Sequence, residues 1–167
     1  MSAAPNYAQA QRVENLRYVV PTGPHVGARV YVAGRACESR RADAVAASLR
    51  TVGMCVVSRW HLRHDVAERD LAPHQRLQIS ATNWRDVFDA HAMVLLAPEG
   101  ANPQPARGSL VEAGAAIGRG IPLVIVAPSP FDTSLMLWNP GAVFVRRDAD
   151  VAGTLEAIFE KLAGGAA

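Results

Sequence analysis

The sequence has only two cysteines, Cys37 and Cys55, and neither lies in a CxxC motif or near a histidine-rich stretch. This scarcity argues against a disulfide scaffold and against a zinc site. No apolar run approaches the roughly 20 residues that a membrane-spanning helix needs, and no signal-peptide pattern opens the chain. Together these absences predict a cytoplasmic protein.

An excess of charge of one sign is also missing. The chain carries 17 basic and 15 acidic residues, a formal net charge of +2, so no overall field favours binding to a nucleic-acid polymer. Its 167 residues, half of them apolar, suffice for one full-sized core. Residues 1–27 are rich in Ala, Pro, Gln and Asn, and the proline and glycine cluster at 21–24 breaks any regular element there. We therefore expect an N-terminal arm over 1–27 and a single domain over 28–167.

Short apolar runs alternate with helical patterns along that domain. Strands are predicted at 29–34, 54–57, 92–97, 123–127 and 142–145, and helices at 42–52, at about 73–90, after Ser109 up to Gly120, and at 151–162. This alternation predicts an α/β fold, a single doubly wound, five-stranded parallel sheet that is flavodoxin-like or Rossmann-like, with strand order 2-1-3-4-5. Ligands of such sheets bind at the carboxyl ends of the strands.

The stretch 107–122 has the strongest local pattern. Gly108 is predicted to take a positive φ, Ser109 to cap the following helix, and Glu112 to complete a capping box. Gly120 and Pro122 end the helix. A carboxylate in a first helical turn stays ionised at neutral pH, which makes Glu112 a candidate nucleophile. The same spacing is typical of an ordinary capping box, and both interpretations stay open.

Polar residues follow the first three strands at the predicted binding edge. The substrate-binding candidates are Gly34, Arg35, Ser39, Arg40, Ser58, Trp60, His61, Gly108 and Ser109. The loop after the first strand matches neither a dinucleotide-binding nor a P-loop motif, but Ser39 and the arginines around it could hold a phosphate at a helix start. The alternative is a solvated charged face. Trp60 is either a stacking surface for a ring or rim packing, and His61 and His64 either contact ligand or are simply exposed.

Several of these residues carry a family resemblance. The motifs are Tyr31-x-x-Gly34, Ser58-Arg59-Trp60, a polar helix position before the third strand, and Gly108-x-x-x-Glu112-x-Gly114-x-Ala116 with Gly120-x-Pro122. In these motifs the chain resembles the nucleoside 2-deoxyribosyltransferase family, which includes nucleoside 5′-monophosphate N-glycosidases. The resemblance implies that Glu112 attacks the anomeric carbon, that Tyr31 positions it, and that an aspartate passes a proton to the departing base.

The resemblance also implies the partners of the chain. It predicts a small-molecule nucleoside or nucleotide as substrate and a homo-oligomer, most simply a dimer. From the residues themselves we expect no cofactor and no metal. The apolar N-terminal arm and the segment 131–138 are the candidate interface surfaces.

The position of the aspartate departs from the family pattern, because Asn83 stands there. A carboxamide cannot transfer a proton as a carboxyl group does. Asp86 lies on nearly the same helical face and could replace it, or Asp86 and Asp89 form a solvated face. The sequence thus predicts an N-glycosyl transferase or hydrolase acting on nucleosides or nucleotides. The alternative is a nucleotide-binding protein on the same fold that has lost turnover with its acid.

Overall fold

The computed structural model describes residues 23–62, 70–98, 106–128 and 141–165. Its strands are β1 (Arg29–Ala33), β2 (Cys55–Val56), β3 (Ala92–Leu96), β4 (Leu123–Val126) and β5 (Ala142–Val145), and its α-helices are α1 (Ser39–Thr51), α2 (Pro73–Asp89), α3 (Arg107–Gly118) and α4 (Val151–Gly164). Short 3-10 turns cover Ala36–Glu38, Trp60–Leu62 and Asp148–Asp150. None of the helices in these ranges is long and apolar enough to cross a membrane.

The five strands form one parallel sheet with the order β2-β1-β3-β4-β5. The predicted fold class and strand order are confirmed. Helix α1 begins at Ser39 instead of 42, because the 3-10 turn Ala36–Glu38 leads directly into it and Ser39 already has helical dihedral angles.

Helices cover both faces of the sheet. Val30 and Val32 pack with α1 and α4 on one face, whereas Tyr31 and Ala33 pack with α2 and α3 on the other. This alternation follows from the two-residue period of a strand. The important consequence is that the Tyr31 side chain points toward α3, the helix that carries Glu112.

The start of α3 differs from the prediction. The helix begins at Arg107 with Ala106 as its N-cap, so the predicted capping box is wrong. Ser109 lies inside the first turn, and its hydroxyl donates to the carbonyl of Ala106 at 2.9 Å, an i−3 bond that serine makes readily within a helix. Gly108 is part of that turn and its φ is not positive. The predicted end is confirmed, since Gly120 follows the helix with a φ of +67°.

The small residues of α3 divide between two faces. Ala113 and Ala116 are completely buried against the sheet, so their small side chains let the helix approach the strands closely. Gly114 and Gly118 are exposed, and a side chain added at either would meet no atom within 4 Å. Only the alanines are therefore needed for packing.

The described end of the N-terminal arm is docked on the domain. His25 is buried, with its Nε2 atom 3.4 Å from Glu156 Oε1 on α4, and the Gly27 amide donates to the Gly53 carbonyl at 2.8 Å. The remainder of the arm, residue His64 and the predicted interface segment 131–138 lie outside the described residues.

Candidate active site

A tyrosine and a carboxylate meet between β1 and α3. The Tyr31 hydroxyl donates a hydrogen bond of 2.8 Å to Glu112 Oε1. Tyr31 is completely buried in the face of the sheet that α3 covers, so its ring cannot swing away without disrupting the core. The pair is therefore held in place from the tyrosine side.

Burial raises the pKa of Glu112 from its ordinary value of 4.5 to about 7, and the hydrogen bond from Tyr31 opposes this shift in the pKa. The prediction that the macrodipole keeps Glu112 ionised is wrong, because α3 begins at Arg107 and Glu112 falls in its second turn. Helix-end charge acts within the first turn. Glu112 therefore titrates near neutral pH instead of staying ionised.

The raised pKa of Glu112 predicts that the free energy of unfolding depends on pH. The folded state binds the proton more tightly than the unfolded state between pH 4.5 and pH 7, so stability falls as the pH rises through that window. Glu112→Gln removes the charge. We expect the difference in unfolding free energy, Glu112→Gln minus wild type, to be more favourable to the variant above pH 7 than at pH 4.5, by roughly 1–3 kcal/mol.

Urea unfolding of both proteins at pH 4.5 and pH 8 measures this difference. Glu160→Gln is the matched control, because Glu160 is exposed on α4. A stability difference between Glu112→Gln and the wild type that stays the same at both pH values would contradict a buried, destabilised carboxylate.

Glu112 lines a cavity of about 760 Å³ at the carboxyl end of β1, between α2 and the start of α3. The predicted site residues in its wall are Gly34, Trp60, Asn83, Gly108, Ser109 and Glu112. The wall also contains Ala36, Leu71, Arg76, Ile79, Ser80, Trp84, Ala106, Arg107 and Val111. The cavity therefore lies at the sheet edge where ligands of doubly wound folds bind.

Trp60 forms one wall of the cavity. Its indole Nε1 donates to the Val32 carbonyl at 2.5 Å, and a Cβ on Gly34 would lie 3.3 Å from the ring. A glycine at position 34 thus lets the indole cover the end of β1. Trp60 also packs against both core clusters, so the same ring packs at the rim and presents a surface to the cavity.

Asn83 and Asp86 have different surroundings although both are on α2. Asn83 lines the cavity, and its buried Oδ1 has no hydrogen-bond partner among the described residues. Asp86 is 4% exposed and accepts two hydrogen bonds, from Arg59 Nε at 3.0 Å and Nη2 at 2.5 Å. It does not line the cavity. The prediction that Asp86 lies on a solvated face is wrong. The ion pair with Arg59 does not support the alternative that Asp86 is a relocated acid. Asp89, in contrast, is exposed.

Several substrate-binding candidates have structural partners instead. The Ser58 hydroxyl accepts a hydrogen bond from the Val32 amide at 3.1 Å, and the buried His61 places Nδ1 2.5 Å from Asp43 Oδ1. Arg41 donates to Asp148 and to the carbonyl of Ala97. None of these residues is part of the cavity wall, nor are Arg35, Ser39 and Arg40. Arg40 is exposed, as a solvated face requires.

Three large side chains of the wall were not predicted from the sequence. Arg76 and Trp84 come from α2, and Arg107 is the first residue of α3. Trp84 stacks on Phe88 with ring centroids 5.7 Å apart. The sequence does contain a pattern that could have identified Arg76. Arg76, Ile79 and Asn83 are spaced three and four residues apart, so they share one face of the helix.

No group of three or more His, Cys, Asp or Glu side chains in the described ranges could hold a metal ion. The two cysteines are free and exposed.

No protein-family model and no curated protein matches the chain. Solved structures do match it. The 2-deoxyribosyltransferase of the psychrotolerant bacterium Bacillus psychrosaccharolyticus, described as a biocatalyst for nucleoside synthesis, superposes with a TM-score of 0.60 and 17% identity over 79% of this chain and 96% of its own. A conserved protein of Enterococcus faecalis V583 gives a TM-score of 0.56 and 13% identity over 78% and 98%. The chain therefore has a nucleoside 2-deoxyribosyltransferase-like fold.

Proposed function

We propose that this protein cleaves or transfers the N-glycosidic bond of a nucleoside or its 5′-monophosphate, with Glu112 as the nucleophile. The observation that carries the proposal is the Tyr31–Glu112 hydrogen bond at the wall of the cavity. The structural neighbour named as a 2-deoxyribosyltransferase supports it through the shared fold.

The chemistry begins at the carboxylate of Glu112. The Tyr31 hydroxyl holds Oε1, which orients the group and makes Oε2 the attacking atom. A bond forms between this oxygen and C1′ of the sugar as the bond from C1′ to the base nitrogen breaks, and the electron pair leaves with the base. A second base or a water then attacks C1′ and restores the carboxylate, as in retaining glycoside hydrolysis.

The cavity suits a nucleoside in size and lining. Its volume of about 760 Å³ falls within the range of roughly 300–1,000 Å³ that is typical of small-molecule sites. Trp60 and Trp84 in its wall offer aromatic surfaces for a planar base.

Two arginines favour an anionic substrate. Arg76 and Arg107 come to the cavity from α2 and α3. Guanidinium groups recognise phosphate through paired hydrogen bonds. The second candidate substrate is therefore the nucleoside 5′-monophosphate. In this proposal its phosphate is bound by Arg76 and Arg107, and not by the arginines after β1 that the sequence predicted.

Incubation with a panel of deoxynucleosides, ribonucleosides and their monophosphates, with and without a second base, tests the function. We expect chromatography to detect release of the free base. Exchange into a new nucleoside identifies a transferase, and free sugar identifies a hydrolase. Ligand binding without base release from any substrate would contradict the proposal and support the non-catalytic alternative, for which Asn83 is the argument.

We also propose that the protein is a homo-oligomer, most simply a dimer. Light scattering at micromolar concentration should give a mass above that of the 17.8 kDa chain. Detection of the monomer alone would contradict this expectation.

A further inference from the structure

We propose that the base leaves this site as an anion, stabilised by a hydrogen bond from the Asn83 carboxamide. The substrates would then be nucleosides of bases with an acidic ring N–H, such as oxopyrimidines, and amino-substituted bases would react poorly. This inference rests on the proposed function, because it assigns the fate of the base at the same site.

Asn83 lines the same cavity as Glu112, and its buried Oδ1 has no partner among the described residues. A buried amide oxygen without a partner costs free energy. Rotation of the carboxamide toward the cavity would let Oδ1 accept from a ligand and the amide N–H donate to it, which removes that cost. An oxopyrimidine presents the matching pair, a ring N–H beside a carbonyl group.

The described wall of the cavity lacks a proton donor for the departing base. Its ionisable side chains are Arg76, Arg107 and Glu112. Arginine does not give up its proton in proteins, and Glu112 is needed as the nucleophile. The nearest carboxyl group in sequence on α2, Asp86, is held by two hydrogen bonds from Arg59.

The energetic consequence follows from ordinary acid catalysis. Proton transfer to a leaving group typically contributes about 10²–10⁴-fold to a rate. Without it, the electron pair of the broken bond stays on the base nitrogen until solvent protonates the released anion. The carboxamide N–H stabilises this charge without transferring a proton. On hydrolysis the proton lost by the attacking water balances the one gained by the base.

The test uses 2′-deoxyuridines carrying 5-methyl, 5-hydrogen, 5-bromo and 5-fluoro groups, which make the uracil ring nitrogen progressively more acidic. Single-turnover rates of base release are measured at pH 6.5 and plotted against the pKa of the released base. We expect the wild-type rate to change by about tenfold for each pKa unit of the base. Asn83→Asp should flatten this dependence and accelerate the poorest leaving group by about 10²–10⁴-fold.

Asp89→Asn is the matched control, because Asp89 is exposed on the same helix, and it should keep both rate and slope. Asn83→Ala should slow every substrate and keep the steep slope. A shallow slope in the wild type would reveal a proton donor and overturn the inference while leaving the proposed function intact. An unchanged slope in Asn83→Asp would also overturn it. No release from any of the four deoxyuridines, with release from another nucleoside, would also overturn the inference and leave the proposed function intact. No release from any nucleoside or nucleotide would contradict the proposed function itself.

Discussion

Glu112→Gln is expected to reduce base release by on the order of 10³-fold or more, because a neutral amide cannot form the ester to C1′. The amide keeps the shape of the side chain, and its oxygen can still accept the hydrogen bond from Tyr31. Ligand binding should therefore survive. Single-turnover chromatography measures the loss of release, and calorimetry with the same substrate measures binding.

Glu160→Gln is the control for this change, since it alters the same functional group at an exposed position on α4. It should have the wild-type rate. If Glu112→Gln also kept the wild-type rate, Glu112 would have no part in the chemistry, and the cavity would have to act through another group.

The second large effect is on pH dependence. A nucleophile must be ionised, and the pKa of Glu112 is about 7. We expect kcat/KM to rise with pH through a single ionisation near that value, by about 100-fold from pH 5 to the plateau, because only about 1% of the carboxyl groups are ionised at pH 5. A rate that falls with pH over this range would mean that Glu112 acts as an acid.

Tyr31→Phe separates the nucleophile from other titrating groups. The hydrogen bond from Tyr31 holds the pKa of Glu112 below the value that burial alone would give. Its removal should move the midpoint of the kcat/KM profile to higher pH. A purely structural role of Tyr31 would lower the rate and leave the midpoint unchanged, and that result would contradict the assigned contact.

The architecture could be predicted from the sequence because the pattern of apolar residues is local. Each strand is a short apolar run, and alternation with helices dictates a parallel sheet. The side on which Tyr31 lies follows from the strand period, and its meeting with Glu112 was implied by the family resemblance. These parts of the site depend on positions within regular elements.

The partners of the charged residues could not be predicted, because they come from distant parts of the chain. Arg59 reaches Asp86 on α2, and Arg41 reaches Asp148 after β5. Nothing near Asp86 in the sequence shows whether it is solvated, catalytic or paired.

The raised pKa of Glu112 is a property of the assembled site. It depends on how far α3 extends before Glu112 and on what covers the carboxylate. The capping pattern around Ser109 predicted the wrong helix start, because the Ser109 hydroxyl lies inside the helix and donates a hydrogen bond to the Ala106 carbonyl. The contributions of Arg76 and Arg107 to the cavity depend likewise on how closely α2 and α3 approach.

The central claim is that Glu112 forms a covalent bond to the sugar. A 2-fluoro-2-deoxyarabinosyl nucleoside slows breakdown of such an intermediate, because fluorine destabilises the oxocarbenium-like state. Mass spectrometry of the quenched protein should show the mass of one glycosyl unit added, on the peptide that contains Glu112, and no addition in Glu112→Gln. Base release from the unmodified nucleoside with inversion at C1′, and no adduct from its fluorinated analogue, would contradict the claim.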